Sequence, residues 1–204
     1  MAGHEPQLLP TLGCMKAILI VDVQRDFTEG GALACEGGAN VAGAITDYLR
    51  TNASDYHLVA ASRDWHNPGE DNGGHFASEP DFIDTWPVHC VAGSEGAQYH
   101  PNLDQSLIEV EVHKGMGEPA YSAFEGRSEG GQNLEQVLKE RGVDQLDIVG
   151  IAADYCVKAS AADALKAGFR VRILSDLTAA VNAAGAKAAF ADLEKEGVRI
   201  ETAV

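Results

Sequence analysis

IVGIAADYC, residues 148–156, carries a run of apolar and small residues straight into a cysteine, after which a helical pattern takes over. The reading is a buried strand followed by a strand-to-helix turn. Cys156 then stands where free backbone N–H groups and the positive end of a helix favour a thiolate, the setting of a nucleophile. Two further apolar strands end in an acid: ILIVDVQRDF (18–27) delivers Asp22, and HLVAASRDWH (57–66) delivers Asp64, with His66 two residues later. In an open α/β sheet the three strand ends gather at one carboxyl edge, where such folds bind ligands. The chain reads as an enzyme.

Outward from these segments, apolar periodicity places strands at 16–23, 57–63, 108–113, 146–152, 169–174 and 198–202, and helices at about 39–52, 133–142, 155–167 and 181–196. Alternation of this kind predicts a single three-layer α/β domain, a mostly parallel sheet with helices on both faces. Gly142, Gly168 and Gly197 each follow a helical stretch, the position of a left-handed C-cap. With 204 residues, 45% of them hydrophobic, and no Pro/Ser-rich linker, one domain is expected over 16–204. Residues 1–15 read as a short leader without the basic and apolar regions of a signal peptide, and Met15 as an alternative translation start. A net charge of −16 argues against a nucleic-acid partner, and no run reaches the roughly 18 apolar residues of a membrane span. Four cysteines without C-x-x-C spacing (Cys14, Cys35, Cys90, Cys156) point to free thiols in a reducing cytoplasm. A homo-oligomer is left open.

Residues 64–107 break the rhythm, with many prolines and glycines and no convincing period, and a loop of that length inside a domain is usually functional. It holds four of the seven histidines (His66, His75, His89, His100) and both tryptophans. Asp64, His66 and His75 offer a carboxylate and two imidazoles within twelve residues, and His89 lies where the loop could fold back. Mixed N/O sets of this type suit Zn²⁺, Fe²⁺ or Mn²⁺ and can leave coordination positions open, although any one of these residues alone would read as solvated. Asp22 is a candidate base, with a turn cap as the bland alternative. Lys114, opening the irregular stretch 114–131, could bring an ammonium to the same edge, whereas a lone lysine after a strand is normally surface decoration.

The set ILIVDVQRDF, SRDWH with His75, WPVHC (86–90), HKG (113–115), AYSAF (120–124) and IVGIAADYC, in this order over nearly the whole chain, closely resembles the nicotinamidase/pyrazinamidase branch of the isochorismatase-like cysteine hydrolases. The resemblance implies an amidohydrolase that converts nicotinamide, and pyrazinamide, to nicotinate and ammonia in NAD salvage and pyridine nucleotide biosynthesis. It implies Cys156 as nucleophile, Asp22 as general base and Lys114 as third catalytic member. It implies metal ligation by Asp64, His66 and His89, with His75 at a position that ligates in some members, one divalent ion (Zn, Fe or Mn) and no organic cofactor. Ile151–Ala152 matches a cis peptide that aims the Ala152 N–H, beside that of Cys156, at an oxyanion. Phe27, Trp86 and Tyr121 match ring-contacting positions, and Trp65 could also wall a flat ring.

Two departures stand out: Tyr155 occupies a position often held by histidine, and the loop around GEDNGGH (69–75) is extended. Cys90 reads as structural, Cys14 and Cys35 are unassigned, and His4, His57, His100 and His113 read as exposed or locally bonded. The rivals are an N-carbamoyl amidohydrolase, which keeps the triad but needs no metal, an isochorismatase, which needs neither the cysteine nor the metal set, and a catalytically silent metal-binding or interaction module.

Overall fold

Six runs rich in Val, Ile, Leu and Ala pair into one sheet in the computed structural model, which describes residues 14–203. The leader expected over 1–15, His4 included, lies outside the described residues except for Cys14 and Met15. The strands are β1 (Lys16–Val21), β2 (Leu58–Asp64), β3 (Val110–Lys114), β4 (Gln145–Ile151), β5 (Arg170–Ala179) and β6 (Arg199–Glu201). Their order is β3-β2-β1-β4-β5-β6 and every pairing is parallel. The helices are α1 (Gly38–Asn52), α2 (Leu134–Glu140), α3 (Cys156–Lys166) and α4 (Ala183–Glu196). Among the described residues no helix is long and apolar enough to cross a membrane.

The period of two along β1 divides the core. Ala17, Leu19 and Val21 face one way, against Leu138 of α2, Val157 and Ala161 of α3 and Leu193 of α4. Ile18 and Ile20 face the other way, against Val41, Ala42, Ile45 and Leu49 of α1. Helices therefore cover both faces, but unequally. On the α1 side the irregular 64–107 segment completes the layer with buried Cys90, Ala97, Tyr99 and Leu103.

The chain winds from β1 outward through β2 to β3, then returns to place β4 on the opposite side of β1. The order reverses between β1 and β4, and a crevice opens outside the carboxyl ends of strands at such a point. Gly150, on β4 at this place, has φ +114°, and a Cβ there would lie 2.1 Å from the Val21 carbonyl oxygen. Only glycine lets the two strands approach there.

Some boundaries differ from the periodic reading. β5 does not stop at Leu174 but runs to Ala179, because an irregularity follows Ile173: two steps along β4, from Ile148 to Gly150, match five along β5, from Ile173 to Thr178. The extra residues put the apolar pattern out of phase and hide the continuation. α2 ends at Glu140 rather than 142, after a start fixed by Asn133 and Gln136 in a reciprocal capping box. The three expected C-cap glycines all have positive φ.

At the other end of the sheet Asp147, fully buried, accepts hydrogen bonds from Tyr56 Oη (2.7 Å) and Arg172 Nε (2.9 Å), with Lys16 Nζ at 3.0 Å. Burial alone would raise its pKa, but the bonds from Arg172, Tyr56 and Lys16 outweigh it and hold the carboxyl below its ordinary value. Asp147→Ala should cost about 3 kcal/mol in urea unfolding, the low end for breaking a buried pair because both cations keep some solvent contact. Since the folded-state pKa is depressed, this contribution is present above the ordinary carboxylate value near 4 and lost as pH falls through the folded one. The gap between wild type and variant should therefore close in acid.

Candidate active site

Because β3, β2, β1 and β4 are neighbours, the residues that end them lie side by side. Asp64 and Lys114 are paired in register, and Val21 is paired with both Ser62 and Gly150. Lys114, buried at the end of β3, reaches across the edge. Its Nζ lies 2.9 Å from Asp22 Oδ2, bonds Asp64 Oδ1, and sits 3.7 Å from Cys156 Sγ. Asp22 Oδ1 accepts from the Ser62 hydroxyl at 2.7 Å. Cys156 is the first residue of α3, as its strand-to-helix setting predicts.

The charges in this cluster are unequal. Burial pushes the Asp22 carboxyl above its ordinary pKa in spite of Lys114. At Asp64 burial acts the same way but is outweighed chiefly by the charge of Lys114, which holds that carboxylate well below the usual range. Lys114 keeps its proton because two carboxylates overcome its desolvation. Burial pushes the Cys156 thiol well up, with the pull of Lys114 opposed by Asp22 and Asp64. The helix terminus that favours a thiolate is present, but burial and the two carboxylates act against it, in keeping with a nucleophile that needs a base. Lys114 thus faces the Cys156 sulfur and the Asp22 carboxylate together.

Asp64 links this cluster to a second. Its Oδ2 lies 3.6 Å from both His66 Nε2 and His89 Nε2, beyond hydrogen-bond distance. The other ring nitrogens are anchored to carbonyls, His66 Nδ1 to Gly115 at 2.8 Å and His89 Nδ1 to Pro87 at 2.7 Å. A carbonyl only accepts, so each Nδ1 carries the proton and each Nε2 turns a lone pair inward. His75 joins them, and the ligand nitrogens of His66, His75 and His89 lie within 4.8 Å of one another. His66 Nε2 and His75 Nδ1 are buried without a hydrogen-bond partner. Three buried imidazoles and a carboxylate, with inward lone pairs unsatisfied, fit a metal ion. A side chain at position 115 would destroy the anchor, since its Cβ would lie 2.5 Å from the His66 ring.

The cleft at both clusters is lined by Phe27, Trp86, Tyr121, Ala152 and Tyr155 together with Cys156, Asp64, His75 and His89. Trp86 Nε1 donates to Tyr121 Oη at 2.9 Å, and the Tyr155 ring stands edge-on to Trp86 at 5.1 Å. The Ile151–Ala152 peptide is cis. Ala152 lines the cleft, whereas Ile151 packs in the core. Trp65 is not part of the wall: it stacks on His113 at 4.6 Å and receives the Arg63 guanidinium on its ring. Cys90 is fully buried, its backbone N–H donating to Asp26 Oδ2 at 2.7 Å. Leu33, Ala120 and Val181 also line the cleft and carry no chemistry by which the sequence singles them out. Gln24 is a further unanticipated contributor. Fully buried, it accepts from the Asp64 N–H (2.8 Å) and donates to the Asp64 carbonyl (2.9 Å), fixing the end of β2 through its main chain.

Residues 16–203 match the family model of the isochorismatase domain. The nicotinamidase/pyrazinamidase of Mycobacterium tuberculosis is 49% identical to this chain over 186 residues, covering 91% of this chain and 98% of that protein. Two solved structures share the fold at a TM-score of 0.77. One is the pyrazinamidase of Pyrococcus horikoshii in complex with zinc, 31% identical and covering 92% of this chain and 98% of that one. The other is a protein from L. infantum in complex with nicotinate, 34% identical and covering 92% of each chain. With the family model spanning the sheet and every strand end that builds the cleft, the chain belongs to the isochorismatase family.

Proposed function

We propose that this protein is a nicotinamidase/pyrazinamidase that hydrolyses nicotinamide, and pyrazinamide, to nicotinate and ammonia through a Cys156 thioester. The observation that carries the reading is Lys114, bridging Asp22 and Asp64 with its Nζ 3.7 Å from Cys156 Sγ, beside a buried His triad. The relatives named above supply the substrate class.

In this reading Asp22 accepts the thiol proton as Cys156 Sγ attacks the carboxamide carbon. The N–H groups of Ala152 and Cys156 receive the oxyanion; those of Ala153 and Val157 are already committed to the carbonyls of Ala179 and Ala152. Collapse of the tetrahedral adduct breaks the C–N bond, and Asp22 returns its proton to the departing nitrogen, which leaves as ammonia. Asp22 then takes a proton from water as the oxygen attacks the thioester; the C–S bond breaks, Asp22 passes that proton to the Cys156 sulfur, and nicotinic acid loses its own proton to solvent and leaves as nicotinate. Lys114 offsets the negative charge that moves between Asp22 and sulfur. Phe27, Trp86 and Tyr121 hold the ring. Asp64, His66, His75 and His89 would hold one divalent ion, Zn²⁺, Fe²⁺ or Mn²⁺, which would bind the pyridine nitrogen directly or through water and so orient the amide. No organic cofactor enters. We infer a place in cytoplasmic NAD salvage from the substrate.

Cys156→Ala should keep the fold, by circular dichroism and melting, while ammonia release falls to background; Cys90→Ala should stay active. An active Cys156→Ala would move the nucleophile elsewhere.

Asp22→Asn should lower kcat and kcat/KM together by about 10²-fold or more and slow alkylation of Cys156 near neutral pH, with nicotinamide still bound. Because burial raises the Asp22 pKa and only the ionised form is a base, the acid limb of wild-type kcat/KM should lie above the ordinary carboxylate range. A normal kcat with only a raised KM would make Asp22 a binding residue.

His66→Ala or His89→Ala should lower bound metal and raise the nicotinamide Kd through loss of the ring anchor. The metal reading fails if gently purified wild type holds no metal and neither exhaustive chelation nor metal add-back changes its activity.

A further inference from the structure

We propose that Asn72 is the residue that positions His75 in the metal centre, acting as a buried tie between the three segments that carry the site. The inference rests on the metal reading above and concerns a residue of the extended 69–75 loop to which no role has been assigned.

Asn72 is fully buried and is one of four non-glycine residues with positive φ (+51°) among the described residues. Left-handed geometry is tolerated by asparagine better than by most residues, though it still needs support. The side chain supplies that support by using all of its hydrogen-bonding capacity. Its Oδ1 accepts from the backbone N–H of Asn67 (2.8 Å) and of Gly117 (3.0 Å). Its Nδ2 donates to the carbonyls of Asn67 (3.1 Å) and Glu70 (3.2 Å).

Each partner leads to the centre. Asn67 follows His66 directly, and Gly117 lies two residues past Gly115, whose carbonyl anchors His66 Nδ1. The Asn72 carbonyl in turn accepts from the His75 N–H (3.3 Å), and the His75 carbonyl accepts from Trp86 N (2.9 Å), leading into the segment that bears His89. His66 and His89 have their rings fixed by carbonyls, but His75 Nδ1 has no partner. The His75 ring packs against Phe76, Tyr121 and the other two imidazoles, but the hydrogen bonds that set its place are those of its backbone, and Asn72 connects that backbone to the His66 strand end and to the stretch following Lys114. Buried groups that orient a ligand in this way typically cost 10- to 100-fold in metal affinity when removed.

The test is a double-mutant cycle on the full chain, read as Zn²⁺ affinity by chelator competition and as the visible absorption of the Co²⁺-loaded protein. Asn72→Gly keeps positive φ accessible and removes only the side chain. Asn72→Asp keeps the acceptors, loses both donors and serves as the second variant should glycine loosen the fold. Wild type should bind one equivalent of either ion. Asn72→Gly should weaken binding about 10- to 100-fold and change the Co²⁺ spectrum in the direction of His75→Ala, with Asn72→Asp between. In the His75→Ala background, Asn72→Gly should cost nothing further, because a residue that acts through His75 has nothing left to position. Full additivity with His75→Ala, or wild-type affinity and spectrum in both Asn72 variants, would overturn the assignment while leaving the metal centre standing. A wild type that binds neither ion would overturn the metal reading and this one with it.

Discussion

A lysine ammonium without solvent contact, held between two carboxylates, is the interaction on which the rest of the molecule's edge depends. Taking one ion from water into a protein interior costs several kcal/mol, so Lys114 is tolerable only because Asp22 and Asp64 flank it and Ser62 satisfies the remaining Asp22 oxygen. The pairing requires the ends of β1, β2 and β3 to be level, which parallel order and register provide. It also leaves one negative charge in excess. In the proposed reaction, moving a proton from Cys156 to Asp22 relocates that charge instead of creating a new one, which matters for groups this deeply buried.

Asp64 serves both halves of the site by dividing its oxygens, one to Lys114 and the other toward His66 and His89. Such a division needs a carboxylate that does not rotate. The Gln24 clamp on the Asp64 main chain fixes the strand end from which it projects. The imidazoles are fixed by carbonyls of Gly115 and Pro87. Rigid backbone, rather than side-chain crowding, holds this geometry, in line with the need to keep binding groups close to one arrangement.

The architecture and the place of the candidate reacting groups were legible in the sequence for one reason: apolar strands announce themselves by composition, and a polar residue closing such a run must lie at the sheet edge. Asp22, Asp64, Lys114 and Cys156 all satisfy that condition. The supports were not legible. Gln24 and Asn72 act through bonds to main-chain groups that can be 40 or more residues away, and such bonds leave no periodic trace. The enclosure of Cys156 was equally hidden, since a helix terminus can be inferred from pattern, whereas the burial that pushes its pKa up cannot. Trp65 shows the reverse error. Its place beside Asp64 suggested the cleft, but successive residues around a strand end point to opposite faces, and the indole follows that rule toward Arg63 and His113.

The stretch from 64 to 107 fills much of the layer that helices fill on the opposite face, placing Cys90, Ala97, Tyr99 and Leu103 in the core. It is therefore as much foundation as loop. Variation there should be confined to its exposed positions, above all around 68–71 and 81–84, and buried ones such as Asn72, His75, Phe76 and Trp86 should tolerate change no better than a buried helix does. Irregular backbone usually marks the part of a protein that evolution can lengthen or replace cheaply; here the same backbone carries the proposed metal ligands and seals the sheet, so freedom to remodel the pocket is bounded by the demands of folding.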